Sequence, residues 1–552
     1  MSSQPVVVVT GGGGGIGAAI AEHLGSSGWF VAAVDPLVTI DGSERLPESD
    51  DTTAGRIIAA GGVARASSAS VTDVEAIHAL LRSLAEERGR LDAVVNVAGI
   101  SRPTSFLRGD DEDWRSVLSV HLDGYRNVLG AALPIMAEAG HGRILGVTSG
   151  SGWRQADAGA YGCAKRAVAA LTWQIGREAP PGVVVNAMSP IAVTRMVTAA
   201  LGARSKNSSG APATGGLALG AMPTPAELGP FAAHLVGDDI GWCTGTVFFA
   251  GGPEVAVLDA PRLVEVVRTD GGVPIGDRLD QVVSRVLGPA EEAQASTGGS
   301  NPRIGAGSGE PPDSIVTVAP DSEVRTCAVV SDRADVAVAV TGALEARGVG
   351  CITIPPVGSA SPIDDSIRTL AAAAPPNGAF DAVVIALSGA PSSGGTHGTG
   401  TGTGWEAVLG SHAGLVEQIH ADAGWVRAAV SSGTDGDSVR VVSLVDASTS
   451  GGRSRAQAAA QFARAASTAT KGRASAFAVA VETVTPDLGV VGELTAHLVC
   501  SPGTAGLSGA ELVVDDGWFG LRSHPRPGAS LTVDADLPSW FDDVLSGILG
   551  QV

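Results

Sequence analysis

The feature that most constrains this chain is an alternation of short β-branched runs with longer Ala- and Leu-rich stretches. From residue 5 onward, the runs VVVVT, WFVAAVD and LDAVVNVAG alternate with stretches such as GAAIAEHLGSSG and VEAIHALLRSLAEERG, and the pattern continues to about residue 252. Apolar runs of strand length that alternate with amphipathic stretches are typical of a parallel sheet with helices on both faces.

The same pattern restarts after a Gly-, Ser- and Pro-rich stretch near 290–315, in RTCAVVSD, GCITIPP, FDAVVIALSG, VRVVSLVDAS and ELVVDDGW. LDAVVNVAG is echoed by FDAVVIALSG, and VLSVHLDG by VLGSHAGL, which indicates a duplicated unit. We therefore predict an α/β fold of two doubly wound parallel-sheet domains in tandem, over residues 1–256 and 321–552. Between them, residues 257–320 are predicted to hold an extra helix, in APRLVEVVRTDGG, and a flexible linker.

Net charge and cysteine usage exclude several classes of function. The formal charge of −21 argues against a nucleic-acid partner or an anionic membrane, because both favour a basic surface. The five cysteines are scattered and never in Cys-x-x-Cys spacing, so neither a disulfide framework nor a metal site is predicted. The apolar run after MSSQP is too short for a signal peptide or a membrane span. We expect a soluble cytoplasmic protein.

The stretch TGGGGGIG, residues 10–17, follows an apolar run and opens a helical one. Glycines in that position allow a tight turn and close approach of the backbone to a pyrophosphate, whose charge the helix N-terminus stabilises. Asp35 ends the next apolar run, where a carboxylate accepts the adenosine ribose hydroxyls and repels a 2′-phosphate. No Arg or Lys lies in the turn or directly after Asp35, so NAD is predicted in preference to NADP. The cofactor contacts assigned here are Gly11, Gly15, Ile16, Gly17 and Asp35.

A Tyr-x-x-x-Lys pair occurs in AYGCAK, although the chain has only two tyrosines, Tyr125 and Tyr161, and three lysines, Lys165, Lys206 and Lys471. Residues four apart lie on one face of a helix, so the Lys165 ammonium is expected to lower the pKa of the Tyr161 phenol. A phenol whose pKa is brought towards neutrality can pass a proton to or from a substrate oxygen. We therefore assign Tyr161 and Lys165 to catalysis.

Together, these residues resemble a known family, the short-chain dehydrogenase/reductases, over about residues 5–254. The resemblance rests on TGGGGGIG, Asp35, Asp92 with NVAG at 96–99, Ser149, Tyr161, Lys165 and SPIAVT at 189–194, in the order of the family. It implies a Rossmann-like fold, a Ser149 side chain that binds the substrate oxygen, and a Tyr161 and Lys165 pair that also contacts the cofactor. Ser151 stays an alternative to Ser149, because Ser149 lies one residue closer to Tyr161 than expected. The further cofactor contacts that the resemblance implies are Val71, Asn96, Ala98, Gly99, Pro190 and Thr194.

His121, in SVHLDG, stands where the family commonly has an asparagine that anchors a proton-relay water. We assign it to catalysis, with a core histidine as the alternative. Together with SPIAVTRMVT, it resembles the (3R)-hydroxyacyl-CoA dehydrogenase branch of the family. Two positions depart from the family pattern, since Ser70 replaces an acid that is common there and Ile191 replaces a glycine. A substrate lid rich in Ala, Gly and Ser is predicted from residue 195 to about 225.

The second half lacks the residues that carry this chemistry. Aligning AYGCAKRAVAALT with AAAQFARAASTAT places Ala459 opposite Tyr161 and Ala463 opposite Lys165. The counterpart of the glycine-rich turn, SDRADVAVAV at 331–340, has no glycine, so Cβ atoms and acids obstruct a pyrophosphate. We predict a degenerate, non-catalytic domain that packs on the first as an internal pseudo-dimer, and a homodimer of chains that forms a pseudo-tetramer.

The expected function is that of an NAD-dependent oxidoreductase that interconverts a secondary alcohol and a ketone, with hydroxyacyl-CoA, steroid-like or other bulky substrates. One alternative is a 3-oxoacyl thioester reductase of lipid or polyketide assembly, which Asp35 disfavours because biosynthetic reductions usually use NADP. A second alternative, from a different class, is an NAD-sensing scaffold whose second half binds a partner protein. The intact Ser149, Tyr161 and Lys165 argue against the scaffold.

Overall fold

The computed structural model describes residues 4–47, 49–153, 157–195, 222–269, 275–294, 324–375, 378–389, 404–431, 438–533 and 537–550. Most of the predicted linker, at 295–323, and most of the predicted lid, at 196–221, lie outside the described residues. Among the described residues, no helix combines the length and the apolar content that a membrane crossing requires.

Strands and helices alternate along both halves, as the sequence predicts. In the first half the strands are β1 Val6–Thr10, β2 Phe30–Val34, β3 Val63–Ser67, β4 Ala93–Asn96, β5 Gly142–Val147, β6 Val183–Pro190, β7 Val247–Gly251 and β8 Glu254–Asp259. Further along are β9 Leu263–Arg268, β10 Thr326–Ser331, β11 Gly350–Ile354, β12 Ala382–Ala386, β13 Val439–Asp446, β14 Ala474–Val481, β15 Glu511–Asp515, β16 Trp518–Arg522 and β17 Arg526–Thr532.

The helices occupy the stretches between these strands. In the first half they are α1 Gly15–Ser26, α2 Thr53–Ala59, α3 Val74–Arg88, α4 Asp111–Leu118, α5 Gly124–Ala139, α6 Gly159–Arg177 and α7 Gly229–His234. Further along are α8 Leu279–Val282, α9 Gly288–Glu292, α10 Ala334–Glu345, α11 Ile363–Ala372, α12 Trp405–Ser411, α13 Leu415–Ser431, α14 Ser450–Ala469, α15 Leu488–Cys500 and α16 Phe541–Leu549.

Within the described residues the strands form two sheets, in the orders β17-β8-β7-β6-β5-β4-β1-β2-β3 and β11-β10-β12-β13-β14-β15-β16-β9. Neighbouring strands are parallel from β3 to β7 in the first sheet and from β11 to β15 in the second. The pairs β7–β8, β8–β17, β15–β16 and β16–β9 are antiparallel. The central strand β1 is buried at every position, because helices cover both faces of its sheet. The predicted fold of two doubly wound parallel sheets in tandem is confirmed.

The two halves exchange their last strands. After the β7–β8 hairpin the chain crosses over, and β9 pairs with β16 of the second sheet. After the β15–β16 hairpin the chain crosses back, and β17 pairs with β8 of the first sheet. The following helix, α16, packs on α7, with the Phe541 and Phe231 ring centroids 5.9 Å apart and His234 Nε2 2.9 Å from Asp542 Oδ1. Each half is therefore completed by a segment of the other.

The exchange corrects the expectation that APRLVEVVRTDGG forms an extra helix. Residues Leu263–Arg268 of this stretch form β9, and helical turns occur only later, from Ile275 to Glu292. Valine-rich, β-branched residues fit a pleated strand better than a helix, and the hydrogen-bond partner, β16, lies about 250 residues away in the chain. The expected end of the first domain, at residue 256, falls inside β8.

The halves also pack through α6 and α14. The Phe462 ring of α14 stacks on Phe106 at a centroid distance of 4.4 Å, and the Cys163 thiol of α6 lies 3.6 Å from the Ala458 carbonyl oxygen. Arg166, which is fully buried on α6, forms an ion pair with Glu511 at the start of β15. Side chains from both halves consequently share one hydrophobic cluster. The expected internal pseudo-dimer agrees with this arrangement.

The exchanged C-terminal segment is expected to stabilise the first half. Phe541 is 1 % exposed and packs in the cluster that contains Phe231 and Phe248, so Phe541→Ala should lower the free energy of unfolding by about 3–5 kcal/mol. Val544, on the same helix, is 40 % exposed, and Val544→Ala serves as the control, with an expected loss below about 1 kcal/mol. Urea unfolding followed by tryptophan fluorescence measures both, and equal losses would contradict the proposed role of α16.

Candidate active site

The glycine-rich turn between β1 and α1 has a backbone that requires glycine. Gly11 has φ +67°, and a Cβ there would lie 2.8 Å from the Ala98 nitrogen. Gly15 has φ +55°, and a Cβ on Gly17 would overlap the Gly11 carbonyl. Gly14 caps α1 without a side-chain hydrogen bond, so the first N–H groups of the helix are left for an anionic ligand.

Asp35 lies at the rim of this turn, directly after β2. Its Oδ2 accepts a hydrogen bond from the Gly13 N–H at 3.0 Å, and its Oδ1 accepts one from the Leu37 N–H at 2.8 Å. A Cβ on Gly13 would lie 2.8 Å from the Asp35 carboxyl carbon. The carboxylate is thus fixed beside the turn, and each oxygen keeps a lone pair that can accept a ribose hydroxyl.

The floor of the cleft is formed by NVAG at the end of β4. The Thr10 hydroxyl donates to Asn96 Oδ1 at 2.8 Å and accepts from the Ala98 N–H at 3.3 Å. Beyond this floor, the Asn127 amide donates to the carbonyl of the buried Val71 at 2.9 Å. Thr10 and Asn127 were not predicted from the sequence, because their roles appear only once β1, β4 and α5 lie side by side.

Ser149, Tyr161 and Lys165 come together where β5 ends and α6 begins. The Ser149 side chain lies beside the Tyr161 hydroxyl and acts to lower the pKa of that phenol, whereas Ser151 donates its backbone N–H to Ser149 Oγ at 3.3 Å. The buried Lys165 Nζ donates to the Val147 carbonyl at 2.6 Å and lies 5.8 Å from the centre of the Tyr161 ring. Of the two serines considered, Ser149 is the one in contact with Tyr161.

The pKa of Tyr161 moves in the direction opposite to the sequence-based expectation. Burial raises the pKa of the phenol, and the hydrogen bond from Ser149 opposes this rise. Burial also lowers the pKa of Lys165 to about 7, so its ammonium is only partly charged at neutral pH. Because Lys165 Nζ is directed to the Val147 carbonyl, it contributes little to stabilising a Tyr161 phenolate in this arrangement.

His121 faces Tyr161 from a π-helical turn, Ser119–Asp123, between α4 and α5. The two ring centroids are 5.0 Å apart with an interplanar angle of 84°. His121 Nε2 lies 2.8 Å from the Ile100 carbonyl oxygen, which can only accept, so Nε2 carries the proton. Burial, and secondarily Lys165, holds the pKa of His121 well below its usual range. Its Nδ1 is a buried acceptor without a partner among the described residues.

Pro190 and Thr194 lie at the end of β6 and just beyond it. The Ile191 N–H donates to the Ala250 carbonyl at 2.9 Å, which keeps this segment on the sheet. A Cβ on Gly15 would be 3.8 Å from the Thr194 methyl group, and a Cβ on Gly14 would be 3.3 Å from the Arg195 guanidinium. Arg195 therefore brings a cation to the glycine-rich turn, although it lies far from the turn in the sequence and was not predicted there.

In the second half, polar side chains pair with one another at the corresponding strand ends. The Asp332 carboxylate accepts hydrogen bonds from the N–H and the hydroxyl of Ser388. The buried Arg455 donates to both oxygens of Asp422 at 2.7 Å, and to the carbonyls of Leu387 and Ser388 at 3.3 Å. These groups cross the edge of β10 and β12, where the first half has its glycine-rich turn and NVAG.

Comparisons with known proteins match the first half of the chain. The family model described as short chain dehydrogenase matches residues 5–205. The chain is 34 % identical over 257 residues to the short-chain reductase protein NovJ of Streptomyces niveus, covering 46 % of this chain and 95 % of that protein. It is 31 % identical over 258 residues to the peroxisomal hydratase-dehydrogenase-epimerase of Neurospora crassa, covering 46 % of this chain and 27 % of that protein.

Among solved structures, a short chain dehydrogenase from Mycobacterium avium matches with 28 % identity and a TM-score of 0.41, over 50 % of this chain and 93 % of that one. The motifs of the first half, the family model over residues 5–205 and the match that covers 95 % of the Streptomyces protein all point to the same family. The chain therefore belongs to the short-chain dehydrogenase/reductase family of oxidoreductases, whose members bind NAD or NADP.

Proposed function

We propose that the first half is an NAD-dependent oxidoreductase that interconverts a secondary alcohol and a ketone. The observation that carries this proposal is the contact of Tyr161 with Ser149, with Lys165 one helical turn further along α6. A continuous series of contacts links this group to the glycine-rich turn, since Gly11 packs on Ala98 and the neighbouring Gly99 packs on the His121 ring. His121 in turn lies against Tyr161.

The residues present fit a dinucleotide. Glycines leave the turn open to a pyrophosphate, the N-terminus of α1 offers N–H donors, and Arg195 adds a positive charge beside Gly14. Asp35 would accept the adenosine ribose hydroxyls and repel a 2′-phosphate, which favours NAD over NADP. Val71, Asn96 and Gly99 would line the cleft, Lys165 would contact the nicotinamide ribose, and Thr194 would contact the carboxamide.

Proton transfer is assigned to Tyr161. Bound NAD supplies the hydride acceptor, and its reduced form supplies the hydride donor. In the reductive direction, the protonated Tyr161 Oη gives its proton to the substrate oxygen, and in the oxidative direction the deprotonated Oη takes that proton back, while Ser149 Oγ hydrogen-bonds the same oxygen. Lys165 can release a proton near neutral pH, because burial lowers its pKa to about 7. The unprotonated Nδ1 of His121 is an acceptor that can hold a relay water beside Tyr161.

The second half is proposed to be a degenerate, non-catalytic copy. Ala459 and Ala463 stand at the positions of the tyrosine and the lysine, and the stretch SDRADVAVAV at the counterpart of the glycine-rich turn has no glycine. A homodimer of two such chains, which would form a pseudo-tetramer, stays a prediction.

The substrate class is also a proposal. The relative from Neurospora crassa carries dehydrogenase in its name, which supports the oxidation of an alcohol. The first candidate substrate is a hydroxyacyl-CoA or a similarly bulky secondary alcohol, as the resemblance of SVHLDG and SPIAVTRMVT to the (3R)-hydroxyacyl-CoA dehydrogenase branch implies. The Streptomyces relative is named a reductase, which favours the reverse direction, on a 3-oxoacyl thioester or another ketone, as the second candidate. Initial rates of ketone reduction with NADH and with NADPH distinguish the two candidates. Faster reduction with NADH, as Asp35 predicts, favours the first candidate, and faster reduction with NADPH favours the second, because biosynthetic reductions usually use NADP.

Tyr161→Phe should lower kcat by about 10²- to 10⁴-fold, because Phe has no hydroxyl to exchange a proton with the substrate. The other tyrosine of the chain, Tyr125, is buried and hydrogen-bonded to Thr172 at 3.1 Å, so Tyr125→Phe is a matched control that should keep turnover. NADH formation from a panel of secondary alcohols and hydroxyacyl-CoAs measures both variants. Wild-type turnover by the Tyr161→Phe variant would overturn the proposed chemistry.

Asp35→Ser should raise the ratio of NADP to NAD efficiency, kcat/KM, by about tenfold, because it removes a negative charge near the 2′ position. Asp50→Ser, at an exposed aspartate in the same β2–α2 connection, is the control and should leave the ratio unchanged. If the Asp35 variant discriminates against NADP as strongly as the wild type does, the assignment of Asp35 is wrong.

A further inference from the structure

We propose that Gln461, on α14 of the second half, is a positioning residue for the serine loop of the first half. The serine loop is defined here as residues 149–152. This inference rests on the proposed function of Ser149 and Tyr161, and it adds a residue from the half that carries no catalytic side chains of its own.

Both ends of the Gln461 side chain are engaged across the boundary between the halves. Nε2 donates to the Ser151 carbonyl at 3.1 Å, and Oε1 accepts from Arg166 Nη1 at 3.2 Å. A carbonyl can only accept and a guanidinium can only donate, so the two partners fix the orientation of the amide. Gln461 is 2 % exposed, and water is therefore a poor substitute for either partner.

The contact with Ser151 reaches Ser149 through one short turn. Gly150–Gly152 forms a single 3₁₀ turn, in which the Gly152 N–H donates to the Ser149 carbonyl at 2.9 Å. The Ser151 N–H donates to Ser149 Oγ at 3.3 Å. Gln461 therefore holds Ser151 through its carbonyl, and Ser151 in turn holds the Ser149 hydroxyl through its N–H. That hydroxyl lies beside Tyr161 and acts to lower the pKa of its phenol.

Close packing gives the serine loop no room to move towards α6. A Cβ on Gly162 would lie 3.0 Å from the Ser151 oxygen and 3.5 Å from Gln461 Cγ. A Cβ on Gly152 would lie 2.9 Å from the Arg166 nitrogen. The loop is therefore held between α6 and Gln461. Loss of the Gln461 amide contact lets the loop move away from α6 but not towards it.

Arg166 anchors the other end of Gln461. It follows Lys165 on α6 but points into the boundary between the halves, where it pairs with Glu511 and donates through Nε to Gln457 Oε1 at 3.0 Å. The same helix thus presents Tyr161 and Lys165 to the cleft and Arg166 to the second half.

Gln457 provides a matched control. It lies one helical turn before Gln461, it contacts the same arginine, and its Nε2 donates to Glu511 Oε2 at 2.6 Å. Its hydrogen bonds run to Arg166 and Glu511, and neither partner belongs to the serine loop. A general weakening of the boundary should affect both glutamine variants, whereas a positioning role should affect Gln461 variants alone.

The test uses the full chain labelled with ¹³Cζ-tyrosine, which gives two NMR signals. The signal of Tyr125 is assigned with Tyr125→Phe, and burial raises its pKa, so it does not interfere with the titration. Among the described residues, the titratable groups beside Tyr161 are the His121 ring, with centroids 5.0 Å apart, and Lys165 Nζ, 5.8 Å from the ring centre, and the variants leave both in place. Since the hydrogen bond from Ser149 lowers the pKa of Tyr161, loosening the serine loop should raise it.

Gln461→Met keeps the length of the side chain but has no N–H donor. It should displace the Tyr161 signal and move its titration midpoint to higher pH by about half a unit or more. The kcat should fall by about three- to tenfold, with an unchanged KM for NAD. Gln461→Glu keeps the acceptor for Arg166 and lacks the donor, so it should reproduce the displacement even if the Met variant folds poorly. Gln457→Met should leave the Tyr161 signal at its wild-type position.

Two results would overturn the inference. One is a Tyr161 signal and midpoint that stay at wild-type values in both Gln461 variants. The other is an equal displacement in Gln457→Met. The NMR readout does not require turnover, so the two proposals can fail separately. An active Tyr161→Phe variant would overturn the proposed function, while a displaced Tyr161 signal in the Gln461 variants would still support the contact between Gln461 and the serine loop.

Discussion

The rest of the structure depends on the burial of one charged side chain, Arg166, at the boundary between the halves. A guanidinium removed from water costs several kcal/mol unless its donors are paired. Among the described residues, Arg166 pairs with Gln457, Gln461 and Glu511, which all belong to the second half. The helix that carries Tyr161 and Lys165 therefore has its opposite face paired with side chains of the second half, in which Ala459 and Ala463 stand at the aligned positions.

Strand exchange makes this dependence mutual. β17 and α16 complete the first sheet and cover α7, while β9 and the helical turns after it complete the second. A cut between the two sequence repeats would leave each half with an uncovered sheet edge and an exposed apolar helix face. This interlocking gives a physical reason for the retention of a second half in which Ala459 and Ala463 stand at the positions of Tyr161 and Lys165.

Much of the fold and the site follows from local sequence. β-branched runs gave the strands, the glycines gave the turn, and the spacing of Tyr161 and Lys165 placed both on α6. Contacts between distant segments were not predictable in this way. LVEVVR forms a strand because β16 pairs with it, and Arg195 reaches the glycine-rich turn from beyond β6. Gln461 meets Ser151 across 310 residues, and the pKa of Tyr161 is raised because folding buries it.

The central claim is that one half holds a cofactor while the other supports it. The most direct measurement is the stoichiometry of NAD binding to the full chain, by isothermal titration calorimetry. The account predicts one NAD per chain, and it predicts that Gly17→Ala abolishes this binding, because the added Cβ would overlap the Gly11 carbonyl. Two NAD per chain, or one that persists in the Gly17→Ala variant, would contradict it.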